Sequence, residues 1–128
     1  MGAALDVVRQ GYAAFGRQDI PALLQLVADE VDWEEICPAT LPYSGPRRTP
    51  AEVGEFFTAV GQVEDITVFE PQEFIEAGEN VTALGYLEAF ALDTKQKFHT
   101  EWIHVFTVQN GKIIRWRGFT NTAARYGH

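Results

Sequence analysis

Apolar residues near the start of the chain recur at helical spacing. Leu5, Val8, Tyr12 and Phe15 follow one another at steps of three or four, which places them on one face of a helix ending near Gly16. A second, shorter helix is predicted next. Its signals are Asp19 as N-cap, Pro21 in the first turn, and a buried side formed by Leu23, Leu24 and Val27.

A short strand and a structured loop are predicted after these helices. Val31 and Trp33 begin the strand, and Ile36 lies near its end. Residues 37–48 contain several prolines and a glycine, which is typical of a loop.

The third helix has a strong start signal. Thr49 can cap it, Pro50 suits the first helical position, and Glu52 completes a capping box. The helix is predicted to end near Gly61, and its apolar face consists of Val53, Phe56, Phe57 and Val60.

The rest of the chain has the pattern of strands. Asn110-Gly111 between two apolar runs predicts a tight hairpin. Helices first and antiparallel strands afterwards indicate an α+β fold, with three helices packed on one face of a curved sheet. The predicted extended segments are 66–69 (a strand or an arm), 74–77, 81–92, 98–108 and 113–120.

The hairpin predicts which residues share a sheet face. With a two-residue turn, Gln109 pairs with Lys112 and His104 lies opposite Arg117. A bulged turn would shift this register by one residue. The same count pairs Trp102 with Phe119, Phe106 with Arg115 and Thr100 with Asn121. The other face then carries His99, Glu101, Ile103, Val105, Ile114 and Trp116, which is apolar enough to predict a second subunit covering it.

Composition and charge narrow the class of protein. The chain has 128 residues, which predicts a single domain over 1–128, and 46% of them are hydrophobic. The formal charge of −8 disfavours nucleic acid and anionic membranes as partners. The lone Cys37 allows no intrachain disulfide and the start has no signal-peptide pattern, so we expect a cytoplasmic location.

Several segments are similar, in order and spacing, to one superfamily. They are Tyr12-Ala13-Ala14-Phe15, residues 18–24, Val31-Asp32-Trp33-Glu34, the loop containing Gly45, residues 102–106, Asn110-Gly111-Lys112-Ile113 and residues 116–123. Together they resemble the SnoaL-like branch of the nuclear transport factor 2-like superfamily, whose members include ketosteroid isomerases, polyketide cyclases and limonene epoxide hydrolases. The resemblance implies a cone-shaped α+β barrel around a pocket for a small hydrophobic ligand. It also implies frequent homodimerisation through the outer sheet face.

The chain departs from the family pattern near its last strand. Cyclase-like and epoxide-hydrolase-like members commonly carry an Asp at the position that matches Asn121, and Gly118 replaces a frequently acidic residue. A neutral amide cannot accept a proton at ordinary pH, although it can orient a carbonyl or a water. We therefore expect Asn121 to line the pocket; the alternative is that it caps the strand end.

His104 and Arg117 are the remaining catalytic candidates. A neutral His104 can take a proton, and Arg117 can stabilise an enolate or a ligand carboxylate. The competing interpretation is a hydrogen-bonded core histidine and an arginine paired with an acid at the rim. Glu35 shares strand parity with Trp33 and can enter the pocket, where its pKa would be raised, but a solvated Glu35 is the simpler expectation. The predicted ligand-lining residues are Tyr12, Trp33, Tyr43, Phe56, Trp102, Phe106 and Phe119.

Three functions fit these residues. The first is a cofactor-independent isomerase or cyclase that moves protons on a small hydrophobic carbonyl compound, with His104, Arg117 and Asn121 in the site. The second is a non-catalytic binder of the same ligand, and the third is a structural module with a filled interior. No metal site is predicted, because strand alternation separates His104 from His99 and Glu101.

Overall fold

The computed structural model describes residues 2–127. Its helices are α1 (Ala3–Gly16), α2 (Ile20–Leu24) and α3 (Pro50–Val63), followed at the end by a 3₁₀ helix (Thr122–Tyr126). Its strands are β1 (Val27–Ile36), β2 (Glu64–Ala77), β3 (Asn80–Ala91), β4 (Gln96–Gln109) and β5 (Lys112–Thr120).

The predicted helix starts are confirmed by hydrogen bonds. The backbone N–H of Ala22 donates to Oδ1 of Asp19 at 3.1 Å, and that of Glu52 donates to Oγ1 of Thr49 at 3.2 Å. These bonds satisfy backbone donors that a helix leaves free at its first turn. Two boundaries differ from the prediction: Val27 belongs to β1, and α3 continues past Gly61 to Val63.

The five strands form one sheet in the order β1-β5-β4-β3-β2. β1 runs parallel to β5, and the other three pairs are antiparallel. The predicted α+β class with a mainly antiparallel sheet is confirmed. Because β1 pairs with β5, its inward side chains lie on the same sheet face as those of the C-terminal hairpin, although the two are far apart in sequence.

The segments 66–69 and 74–77 are parts of a single strand. β2 passes through Pro71, which pairs with Gly85, and has register shifts between Ile66 and Val68 and between Pro71 and Glu73. Proline is tolerated here because β2 is an edge strand. It pairs with only one neighbouring strand, so the backbone N–H that proline lacks is not needed for hydrogen bonds to a second one.

The hairpin turn is as predicted, but a bulge follows it. Gln109 pairs with Lys112, whereas Thr107 already pairs with Arg115, so Ile114 is the extra residue. A bulge adds one residue to one strand and shifts every pair beyond it. The predicted assignment of side chains to the inner and outer sheet faces is therefore correct for β4. For most of β5, residues predicted on one face lie on the other.

The helices cover the inner sheet face and enclose the core with it. Val8 on α1, Val53 on α3 and Trp102 on β4 are almost completely buried. Among residues 2–127, no helix has the length and apolar character needed to cross a membrane.

Candidate functional site

A cavity of about 120 Å³ lies between the helices and the inner face of the sheet. Most of its wall is apolar, and the interior is not filled by side chains. Its aromatic lining consists of Tyr12, Phe15, Trp33, Tyr43, Phe56, Phe57, Phe69, Phe106 and Trp116.

Tyr12 and His104 form the first polar pair of the cavity. The phenolic oxygen lies 2.6 Å from Nδ1 of the imidazole, and the two rings are stacked. Trp102 also stacks on the imidazole, with its ring centroid 4.1 Å from that of His104 and 5.7 Å from that of Tyr12. Burial lowers the pKa of His104 to about 3, so the imidazole is neutral at ordinary pH.

This pair offers one hydrogen-bond donor to a ligand. A neutral imidazole and a phenol carry two polar hydrogens, and their mutual bond uses one of them. The other remains on the Tyr12 hydroxyl or on Nε2 of His104, whichever tautomer is present. The pair can therefore bind an acceptor oxygen in either state.

Glu35 supplies a buried carboxyl group. It is 7% exposed, it lines the cavity, and the Thr120 hydroxyl donates to its Oε2 at 3.3 Å. Burial raises its pKa to about 7. The expectation of a solvated Glu35 is wrong, because its parity with Trp33 on β1 turns both side chains toward the core.

Glu35 and His104 lie in one row across the inner face. Glu35 pairs with Gly118 on β5, and Gly118 pairs with His104 on β4. With neighbouring strands about 4.8 Å apart, the two Cα atoms are separated by about 10 Å. The residue between them has no side chain, and the Glu35 carboxyl group and the edge of the Trp116 ring share the space above it. The Trp116 ring also contacts His104, with the two ring centroids 4.9 Å apart.

Glu64 is the second carboxylate of the cavity, and it is already bound. The Tyr43 hydroxyl donates to its Oε2 at 2.6 Å, and Nε of Arg125 donates to the same oxygen at 3.0 Å. Arg125 is 1% exposed and also holds Asp93 at 2.9 Å and 3.2 Å. No motif in the sequence connects Glu64 with the distant Arg125, so neither residue was predicted as part of the site.

The predicted lining residues separate into two groups. Tyr12, Trp33, Tyr43, Phe56 and Phe106 line the cavity together with His104. Trp102 lies behind His104 in the core and is not part of the lining.

Arg117 and Phe119 lie on the opposite face of the sheet. The bulge at Ile114 places Arg117 opposite Val105, so the predicted pairing of Arg117 with His104 is wrong. Nη2 of Arg117 instead lies 2.9 Å from Oδ2 of Asp32. Phe119 is 42% exposed, so its prediction as a lining residue is also wrong. Trp116 takes the inward place and stacks on Trp33, with ring centroids 4.4 Å apart.

Asn121 stands just beyond β5 and outside the cavity lining. It occupies the N-cap position of the 3₁₀ helix, but its side chain makes no capping hydrogen bond. Its backbone N–H donates to Oγ1 of Thr100 at 3.3 Å, and the residue is exposed. The prediction that Asn121 lines the pocket is wrong, because the chain turns away from the sheet after Thr120.

The described residues carry no candidate metal cluster. Within 2–127, no three His, Cys, Asp or Glu side chains are grouped so as to hold an ion. Burial raises the pKa of the Cys37 thiol to about 11, which keeps it protonated and unreactive.

The helices, the five-stranded sheet and the cavity between them define the nuclear transport factor 2-like class of α+β proteins. The chain belongs to the SnoaL-like domain family, whose model matches residues 8–116. The resemblance seen in the sequence is thereby confirmed.

Solved structures agree with this assignment over nearly the full chain. A nuclear transport factor 2-like protein from Burkholderia thailandensis is 27% identical, with 99% of this chain and 97% of that chain covered and a TM-score of 0.88. One of unknown function from Burkholderia pseudomallei is 28% identical, with 96% and 94% covered and a TM-score of 0.86. TerC, co-crystallised with polyporic acid, is 25% identical, with 98% and 97% covered and a TM-score of 0.87. Among curated protein sequences, none matches the chain.

Proposed function

We propose that the protein is a cofactor-independent enzyme that moves a proton on a small apolar carbonyl compound bound in the cavity. The observation that carries this proposal is the buried Glu35 carboxyl group, in one row with the Tyr12–His104 pair across Gly118. A base on one side and a donor on the other suit a carbonyl compound with an acidic C–H bond.

Glu35 takes the role of base that the sequence analysis gave to His104. A general base works best when its pKa is near the working pH. The pKa of Glu35 is about 7, whereas that of His104 is about 3. The cavity therefore has a proton acceptor even though position 121 carries an amide.

The proposed step balances without a further reactant. The ionised Glu35 takes a proton from the carbon next to the carbonyl group. The C–H electron pair forms the C=C bond of an enolate, and the π pair of the C=O bond moves to the oxygen. The free donor of the Tyr12–His104 pair stabilises the enolate oxygen. Return of the proton to a different carbon completes an isomerisation. If the Glu35 proton first exchanges with solvent, its return to the same carbon completes a hydrogen exchange.

Hydrogen–deuterium exchange tests the proposal directly. The protein is incubated in D₂O with cyclohexanone, and loss of the α-hydrogens is followed by NMR. We expect Glu35→Gln to slow exchange by at least about a hundredfold. Glu34→Gln is the matched control, since Glu34 is next in the strand and pairs with Arg117 rather than Gly118.

Two results would count against an enzyme. Equal exchange rates in wild type and Glu35→Gln would remove the proposed base. Ligand binding with no exchange above the buffer rate would favour the alternative of a non-catalytic binder, for which the apolar lining is sufficient.

A further inference from the structure

The charge of the cavity wall has one sign. Among the described residues 2–127, its lining includes Glu35 and Glu64 but no lysine or arginine. Arg125 donates hydrogen bonds to Glu64 and to Asp93, so its guanidinium group is not available to a ligand. The imidazole of His104, which also lines the cavity, is neutral. An anionic ligand would thus enter a low-dielectric space beside carboxylates, without a cation to pair with.

The size of the cavity limits the ligand to about one ring. Its volume is about 120 Å³. An apolar protein cavity of about 150 Å³ takes up benzene. A fused-ring compound would require Phe56, Phe57 or another packed ring to move.

One uncommitted polar group of the cavity wall is a hydrogen-bond donor. The Tyr12–His104 pair has one polar hydrogen left over. Buried donors without partners are costly, so an acceptor oxygen on the ligand would be favourable here.

We propose that the cavity selects neutral compounds with a single six-membered ring and a carbonyl oxygen, and that it rejects carboxylates of the same shape. This inference rests on the proposed function only in taking this cavity as the reaction site. Binding alone tests it, so it can stand or fall separately from the chemistry.

Three matched ligands provide the experiment on the wild-type protein. Acetophenone is the neutral one-ring ketone, benzoate is its anionic near-isostere, and 2-acetylnaphthalene adds a second ring. Dissociation constants are measured at pH 8 by calorimetry and by quenching of tryptophan fluorescence. We expect acetophenone to bind at least about tenfold more tightly than either of the other two.

The carboxylates and the donors are then tested separately. Glu35→Gln should narrow the difference between acetophenone and benzoate by at least about threefold, whereas Glu34→Gln should leave it unchanged. The double variant Tyr12→Phe with His104→Phe removes the donor pair. It should weaken acetophenone binding but not binding of α-methylstyrene, in which a C=CH₂ group replaces the C=O group; retained α-methylstyrene binding also shows that the cavity is intact.

Infrared spectroscopy provides a second measure of the donor. The carbonyl band of acetophenone bound to the wild-type protein should lie at lower frequency than in hexane. A band at the hexane position would overturn the carbonyl assignment even if the double variant failed to fold.

Three outcomes of the ligand series would contradict the inference. Benzoate binding as tightly as acetophenone would overturn the charge argument, and equal or tighter binding of 2-acetylnaphthalene would overturn the size argument. No measurable binding of acetophenone would overturn both. If acetophenone binds as expected but cyclohexanone shows no deuterium exchange, the inference stands and the proposed reaction fails.

Discussion

Glu35 and Gly118 are register partners across the parallel β1–β5 pair, and the Glu35 carboxylate occupies the space where a side chain at position 118 would begin. The ring of Trp116 borders the same space. The backbone at position 118 has a conformation that any residue can adopt. A glycine is needed here only because the Glu35 carboxylate and the Trp116 ring come so close. The buried acid therefore depends on a glycine from a distant part of the chain.

Gly118→Ala should disturb the site. The added methyl group would overlap both Oε1 of Glu35 and the Trp116 ring, so both must move. Overpacking of this kind costs about 1–3 kcal/mol of stability, and we expect exchange activity to fall with it. Urea denaturation and the deuterium assay measure the two effects.

Gly61→Ala is the control for this substitution. Gly61 lies in α3 with open space around its Cβ position, and alanine favours helix by up to about 1 kcal/mol. The variant should be as stable as wild type or slightly more stable. Wild-type activity in Gly118→Ala would show that Glu35 does not need this space.

The sequence predicted the fold well because its signals are local. The caps at Asp19 and Thr49 and the Asn110-Gly111 turn depend on neighbouring residues, and all three are found. The site was predicted less well because one bulge at Ile114 exchanges the faces of β5. No local signal marks that bulge, and it alone moves Arg117 out of the cavity and Trp116 into it.

The burial of charged side chains was the second feature of the site that the sequence could not predict. Strand parity places Glu35 beside Trp33, yet parity does not tell whether the end of a strand is covered. Glu64 and Arg125 meet at 3.0 Å across a separation of 61 residues. Such a contact follows from the closed tertiary structure and from no pattern in the sequence.

Glu35 and His104 should have opposite effects on stability as pH changes. The pKa of Glu35 rises from 4.5 to about 7 on folding, so the folded state holds the extra proton and stability falls as pH rises through this window. The pKa of His104 falls from 6.5 to about 3, so the unfolded state holds the extra proton and stability rises with pH between these values. Between pH 4.5 and 6.5 the two contributions cancel.

Single substitutions should reveal each slope. Relative to wild type, Glu35→Gln should gain about 2–3 kcal/mol in its free energy of unfolding between pH 4.5 and 6.5. His104→Gln should show a relative loss of similar size. Urea denaturation across this range measures both, with Glu34→Gln as control; parallel curves for all four proteins would contradict the burial of these two groups.

Arg125 should be important for stability. Its side chain is buried between Glu64 and Asp93, and removing one partner of a buried ion pair leaves an uncompensated charge. We expect Arg125→Ala to lower the free energy of unfolding by about 3 kcal/mol. Arg17→Ala, which removes an exposed pair with Asp19, should cost less than about 0.5 kcal/mol. Equal melting temperatures for the two variants would show that the buried network contributes nothing.

The exposed apolar residues on the outer face of the sheet predict that two copies of the chain associate through it. Ile36, Phe119 and Ile103 are register partners in one row across β1, β5 and β4, and they are 45%, 42% and 42% exposed. A continuous apolar row on a sheet face is a costly surface to leave in water, and a second copy would cover it. We expect wild type to sediment as a dimer at micromolar concentration and the double variant Ile103→Glu with Phe119→Glu to sediment as a monomer with unchanged far-UV circular dichroism. Leu92→Glu, an equally exposed leucine beyond the end of β3, should remain dimeric. A monomeric wild type would show that the exposed row does not hold two copies together.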